Sequence, residues 1–140
     1  MNLHFQRRLL QAAVAAACIV PLATGTLSLA EGPAFIRGVE GPVPVDLDSH
    51  FRYLSGLLLG LGLAFASCIP RIERRTGPFQ ALGFIVVVGA LGRLLSLLLA
   101  GTPGTGHLFG LAMELAVVPL LMLWQRRVAA SYGRTTSTSG

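Results

Sequence analysis

Of the chain's 140 residues, 53% are hydrophobic and only 12% charged, with a mean hydropathy of +0.68. A soluble domain carries about 25% charged residues, so a water-soluble fold could not hide this much apolar surface. The net charge of +5 does not point to nucleic acid either, because most of the eleven basic residues, all Arg, fall between apolar runs instead of clustering on one face.

The first apolar run covers residues 9–30 behind Arg7 and Arg8. As a helix it is about 33 Å long, enough for a hydrocarbon core of about 30 Å. Ser28-Leu29-Ala30 would also suit a signal peptidase, but a signal peptide's apolar region is about 7–15 residues, so the segment is read as a retained helix. Residues 32–48 form the one long loop, with Glu31, Arg37, Glu40, Asp46 and Asp48 in or beside it. Asp48 or Ser49 then offers a cap for a second helix over residues 50–69, which Pro70 stops.

A connector carrying Arg71, Arg74 and Arg75 leads to Thr76-Gly77-Pro78, a cap and first-turn proline for a third helix over residues 79–100. The turn Gly101-Thr102-Pro103-Gly104-Thr105-Gly106 precedes a fourth helix over residues 107–124, closed by Trp124 at an interface. Residues 1–127 thus read as one membrane domain, and the Ser/Thr-rich residues 128–140 as a disordered cytoplasmic tail.

The expected fold is all-α, a four-transmembrane-helix antiparallel bundle, because tight turns join neighbouring elements. Arg7, Arg8, Arg71, Arg74, Arg75, Arg126, Arg127 and Arg134 fall on one side, against Arg37 and Arg52 on the other. Basic loops stay in the cytoplasm, so both termini are expected inside.

Arg93 in the third helix costs about 2.5–3.5 kcal/mol at mid-bilayer, which its apolar neighbours offset. It lies eight residues before Gly101, and Glu114 lies seven after His107, so both sit about 10–12 Å below the same turn. The matched depth predicts a buried ion pair or a water-bridged contact, either a clamp between helices or a functional site. Glu31, His50, Arg52, Ser96 and His107, with Thr24 and Ser28, collect in the same outer half and could line a polar pocket; Arg52 and the histidines could equally sit at the headgroups. Gly56, Gly60 and Ala64 recur every four residues, a strip that lets helices approach closely. Pro21 and Pro119 each remove a helix amide and predict kinks.

Other motifs fail. The Gly101–Gly106 turn has His107 where a phosphate loop needs Lys, the histidines form no ligand set, and no nucleophile and base can be placed together. Cys18 and Cys68 stand alone and read as small apolar fillers. No catalytic residue, metal or cofactor is expected.

From residue 48 onward the pattern Asp48-x-x-x-Arg52-Tyr53-Leu54-x-Gly56, then Ile69-Pro70-Arg71-Ile72-Glu73-Arg74, Gly92-Arg93-x-x-Ser96 and Glu114-Leu115, resembles the bacterial membrane family known as domain of unknown function 4345. The resemblance implies a small four-helix protein of the bacterial cytoplasmic membrane and carries no reaction with it. The expected function is that of a non-enzymatic accessory or structural membrane component, with lipid, a second copy or another membrane protein as partner. The alternative is a small transporter or ligand binder that uses Glu114 and Arg93.

Overall fold

The computed structural model describes residues 2–36, 38–39 and 41–137, with side chains as far as Arg134. Arg37 and Glu40 of the long loop lie outside the described residues. Four helices long and apolar enough to cross a membrane make up most of the chain, and no strand occurs among the described residues. They are α1 (Leu3–Glu31), α2 (Val45–Cys68), α3 (Thr76–Ala100) and a fourth built from α4 (Thr105–Ala112), a π-helical turn (Met113–Val117) and α5 (Val118–Ser137). In none of the four is more than 22% of the apolar window buried within the chain. Most of their side chains therefore face outward, an arrangement compatible with helices that cross a membrane.

The chain divides into two compact units, Ala12–Ile69 and Met1–Gln11 with Pro70–Gly140. In the first, Val14, Cys18, Gly25 and Ser28 form the buried stripe of α1, recurring at the three- and four-residue spacings of one helix face. On α2, Ser55, Gly62 and Cys68 are buried. Gly25 lies against the Leu59 backbone and Gly62 against Leu22, so partners ascend along one helix as they descend along the other. The expected packing strip lies elsewhere on α2: nothing among the described residues lies within 4 Å of a Cβ placed at Gly56 or Gly60, so the contact with α1 does not use them. Four-residue spacing puts Gly56, Gly60 and Ala64 on one face, but cannot say whether that face has a neighbour.

Helix ends differ from the sequence reading for local reasons. α2 starts at Val45 behind Pro44, so Asp48 lies inside the helix and does not cap it; Asp46 and Asp48 instead place negative charge near its positive end. α1 starts at Leu3, where the His4 amide donates to Asn2 Oδ1 at 3.2 Å. A short 3-10 turn, Ile69–Arg74, follows α2 past Pro70.

α5 continues to Ser137, so residues 128–137 are helical and not the expected disordered tail. The reason is a stripe that the apolar run does not reveal: Leu121, Gln125 and Val128 recur at four- and three-residue spacing and are all buried. Tyr132 continues it, and its ring meets His4 edge-on at 6.1 Å between centroids. Residues 138–140 of the expected tail lie outside the described residues.

Pro119 does not simply kink the fourth helix. The Val118 amide donates to the Met113 carbonyl, five residues back. In that register the next donor would be Pro119, which has no N–H to offer the Glu114 carbonyl. The widened turn absorbs the proline, and π-turns of this kind occur frequently at functional sites.

Candidate functional site: an ion pair at a π-helical turn

In the unit containing residues 70–140, α3 buries Phe79, Gly83 and Ala90. Arg93 follows Ala90 by three residues, about 60° round the helix, so it leaves from the edge of the buried face. From there its Nε comes within 3.2 Å of Glu114 Oε2. The two charges predicted to share a depth do meet. They are not a buried pair, however, since the side chains are 40% exposed for Arg93 and 19% for Glu114. Matching depth places two groups at one level but does not fix where around each helix they lie, so it says little about burial.

The contact is ionic and not a well-formed hydrogen bond. Glu114 Oε2 is inaccessible and accepts no hydrogen bond among the described residues. The π turn that holds Glu114 also leaves its own carbonyl without a π-register donor, because that donor would be Pro119.

Elsewhere in this unit, Gln125 is fully buried at the other end of the α3 and α5 contact. Its Nε2 donates to the Ile72 carbonyl at 2.8 Å and to Thr76 Oγ1 at 2.9 Å, while its Oε1 accepts from Gln80 Nε2 at 3.3 Å. Gln80 Nε2 also donates to the Met122 carbonyl at 3.0 Å. Arg7 Nε donates to Glu73 Oε2 at 2.8 Å and Arg7 Nη2 to the Pro70 carbonyl at 2.9 Å, tying the start of α1 to the 3-10 turn. The sequence reading missed these residues, although Gln80 and Gln125 lie at similar distances from the Gly101–Gly106 turn and so satisfy the depth test that singled out Arg93 and Glu114.

Within residues 12–69, Arg52 Nη1 donates to the Leu29 and Ala30 carbonyls at 2.6 and 2.9 Å, and its Nε donates to Asp48 Oδ2 at 2.9 Å. The guanidinium thus satisfies carbonyls that the end of α1 leaves without helical partners. Gly32 makes this approach feasible: it has φ +66°, and a Cβ there would lie 2.6 Å from Arg52 Nη2.

The remaining pocket candidates are described within their own units. His50 lines a shallow hollow with Asp46, Ser49 and Tyr53. Glu31 is exposed beside the 3-10 turn Gly32–Phe35, and Thr24 Oγ1 donates back to the Val20 carbonyl of its own helix at 2.7 Å. Ser96 and His107 are exposed. In the unit of Arg93 and Glu114, a hollow is bounded by Glu73, Arg74, Ala129, Tyr132 and Gly133, and neither of the two charged residues lines it.

A family model described as Domain of unknown function (DUF4345) matches residues 9–125. The chain belongs to this family. No curated protein and no solved structure matches it. The matched region takes in Arg52, Arg93, Glu114 and Gln125, so every interhelical polar contact described above except those at Arg7 and His4 lies inside the family domain.

Proposed function

We propose that this member of the family is a non-enzymatic component of the bacterial cytoplasmic membrane, a four-span antiparallel bundle with both termini in the cytoplasm. The observation that carries this reading is where the polar side chains go. Arg7, Arg52, Gln80 and Gln125 all reach backbone carbonyls on other segments, which is the work of holding helices together. The order of contacts within each unit supports the antiparallel arrangement, and the distribution of arginines supports the orientation. Arg93 and Glu114 fit the same role as a clamp between the third and fourth helices.

The clamp is tested by exchanging its charges. Arg93→Glu and Glu114→Arg each lower the melting temperature in detergent, and the double variant recovers part of the loss. A coupling of about 0.5–1 kcal/mol is expected, since Arg93 is too exposed for the value of a buried pair. No recovery counts against direct contact. Labelling of single cysteines at the two termini, reactive only from the cytoplasmic side, tests the orientation.

The unsatisfied Glu114 Oε2 in a π turn favours a second reading, a small transporter that exchanges a proton or an anion at this carboxyl group. Glu114→Gln then abolishes coupled flux in reconstituted vesicles. Unchanged flux with a lowered melting temperature supports the clamp.

A further inference from the structure

The Arg93 side chain is 40% exposed on a helix whose other outward residues include Phe84, Ile85, Val88, Leu91, Leu95, Leu98 and Leu99. Its Nε is taken by Glu114, while its two Nη groups have no partner among the described residues. A guanidinium in hydrocarbon seeks acceptors for all its donors or extends toward the headgroups to find them. Arg93 is seven residues from the Ala100 end of α3 and seventeen from the Thr76 end, so the nearer headgroups are those beside Ala100. The surface next to it is low: Gly89, Gly92 and Ser96 lie on the same side of α3, and nothing is within 4 Å of a Cβ placed at either glycine.

We propose that the free edge of the Arg93 guanidinium binds the phosphate of an anionic phospholipid, whose acyl chain lies along the face formed by Gly89, Gly92 and Ser96. The planar fork of Arg presents paired donors to a phosphate while its Nε side faces a carboxylate, so one guanidinium bridges Glu114 and the lipid. The small residues leave the chain room to approach the helix. This inference rests on the membrane reading above and adds a ligand to it.

The test reconstitutes the full chain in vesicles of phosphatidylcholine with phosphatidylglycerol, extracts it in mild detergent and counts retained lipid by native mass spectrometry. The wild type retains phosphatidylglycerol preferentially. Arg93→Gln retains about tenfold less, and Arg93→Lys, which keeps the charge but loses the fork, falls between them. Glu114→Gln retains more than the wild type, because the competing carboxylate is gone. Should Arg93→Gln fail to fold, Arg93→Lys and Glu114→Gln decide the matter. Equal retention by the wild type and the Arg93 variants overturns the lipid site, as does lack of preference for phosphatidylglycerol. Lipid-free dimers that disappear in Arg93→Lys also overturn it, by giving the face to a second copy. A chain that does not float with the vesicles at all overturns the membrane reading itself, a result distinct from any of these.

Discussion

Gln125→Glu destabilises the protein more than Gln125→Leu, and both lower the melting temperature in detergent by several degrees. The Gln125 amide donates twice, to the Ile72 carbonyl and to Thr76 Oγ1, and accepts once, from Gln80. Leu removes all three bonds and leaves the Ile72 carbonyl without this donor in a fully buried setting. Interhelical hydrogen bonds in membrane proteins are worth about 0.6–1.7 kcal/mol each, so losing the two donated bonds costs roughly 1–3 kcal/mol. Glu keeps the shape but presents oxygens where nitrogen donated. An ionised carboxylate in this place would face the Ile72 carbonyl with a second acceptor, adding the cost of an unpaired buried charge to the lost bonds. Equal melting temperatures for wild type and Gln125→Leu would show that the amide is dispensable.

The same residue marks where the sequence was legible and where it was not. Four apolar runs of membrane-spanning length are visible by eye, because any helix surrounded by lipid must be apolar nearly all round. Their true ends are not, because outside the apolar runs a helix is kept by one stripe only. Leu121, Gln125, Val128 and Tyr132 form such a stripe, with a polar residue in its middle that breaks the apolar signal. The contact between Arg93 and Glu114 was legible because a charge in an apolar helix is costly enough to stand out. Gln80 and Gln125 are neutral and lie at the margins of the apolar runs, so they raise no such flag, yet Gln125 is the more deeply buried.

Arg52 shows a different limit. Its presence at the start of α2 suggested a headgroup position or a pocket wall, whereas its partners are main-chain carbonyls of α1, twenty-two and twenty-three residues away. Carbonyl acceptors have no signature in a sequence. Asp48, read as a helix cap, likewise became the carboxylate partner of Arg52 once α2 began earlier, at Val45.

Small residues give the sharpest contrast between spacing and contact, and Gly25→Val is expected to be the most damaging glycine substitution in the first unit. A Cβ at Gly25 would lie 2.8 Å from the Leu59 backbone nitrogen and 3.0 Å from its Cα. Backbone cannot rotate away, so the two helices must separate. Overpacking costs typically about 1–3 kcal/mol, and Val adds two methyl groups beyond the Cβ that already clashes, placing it at or above the top of that range with Gly25→Ala below it. Gly83→Ala is expected to be milder, because the added methyl meets the Met122 side chain, which has rotamers to spare. Gly60→Ala should be neutral or slightly stabilising, since its Cβ meets nothing and Ala is the better helix former by up to about 1 kcal/mol. Melting temperatures in detergent rank the four variants. If Gly60→Ala proves as harmful as Gly25→Ala, the Gly56, Gly60 and Ala64 face packs against another chain after all, and the regular spacing will have reported an interface between molecules.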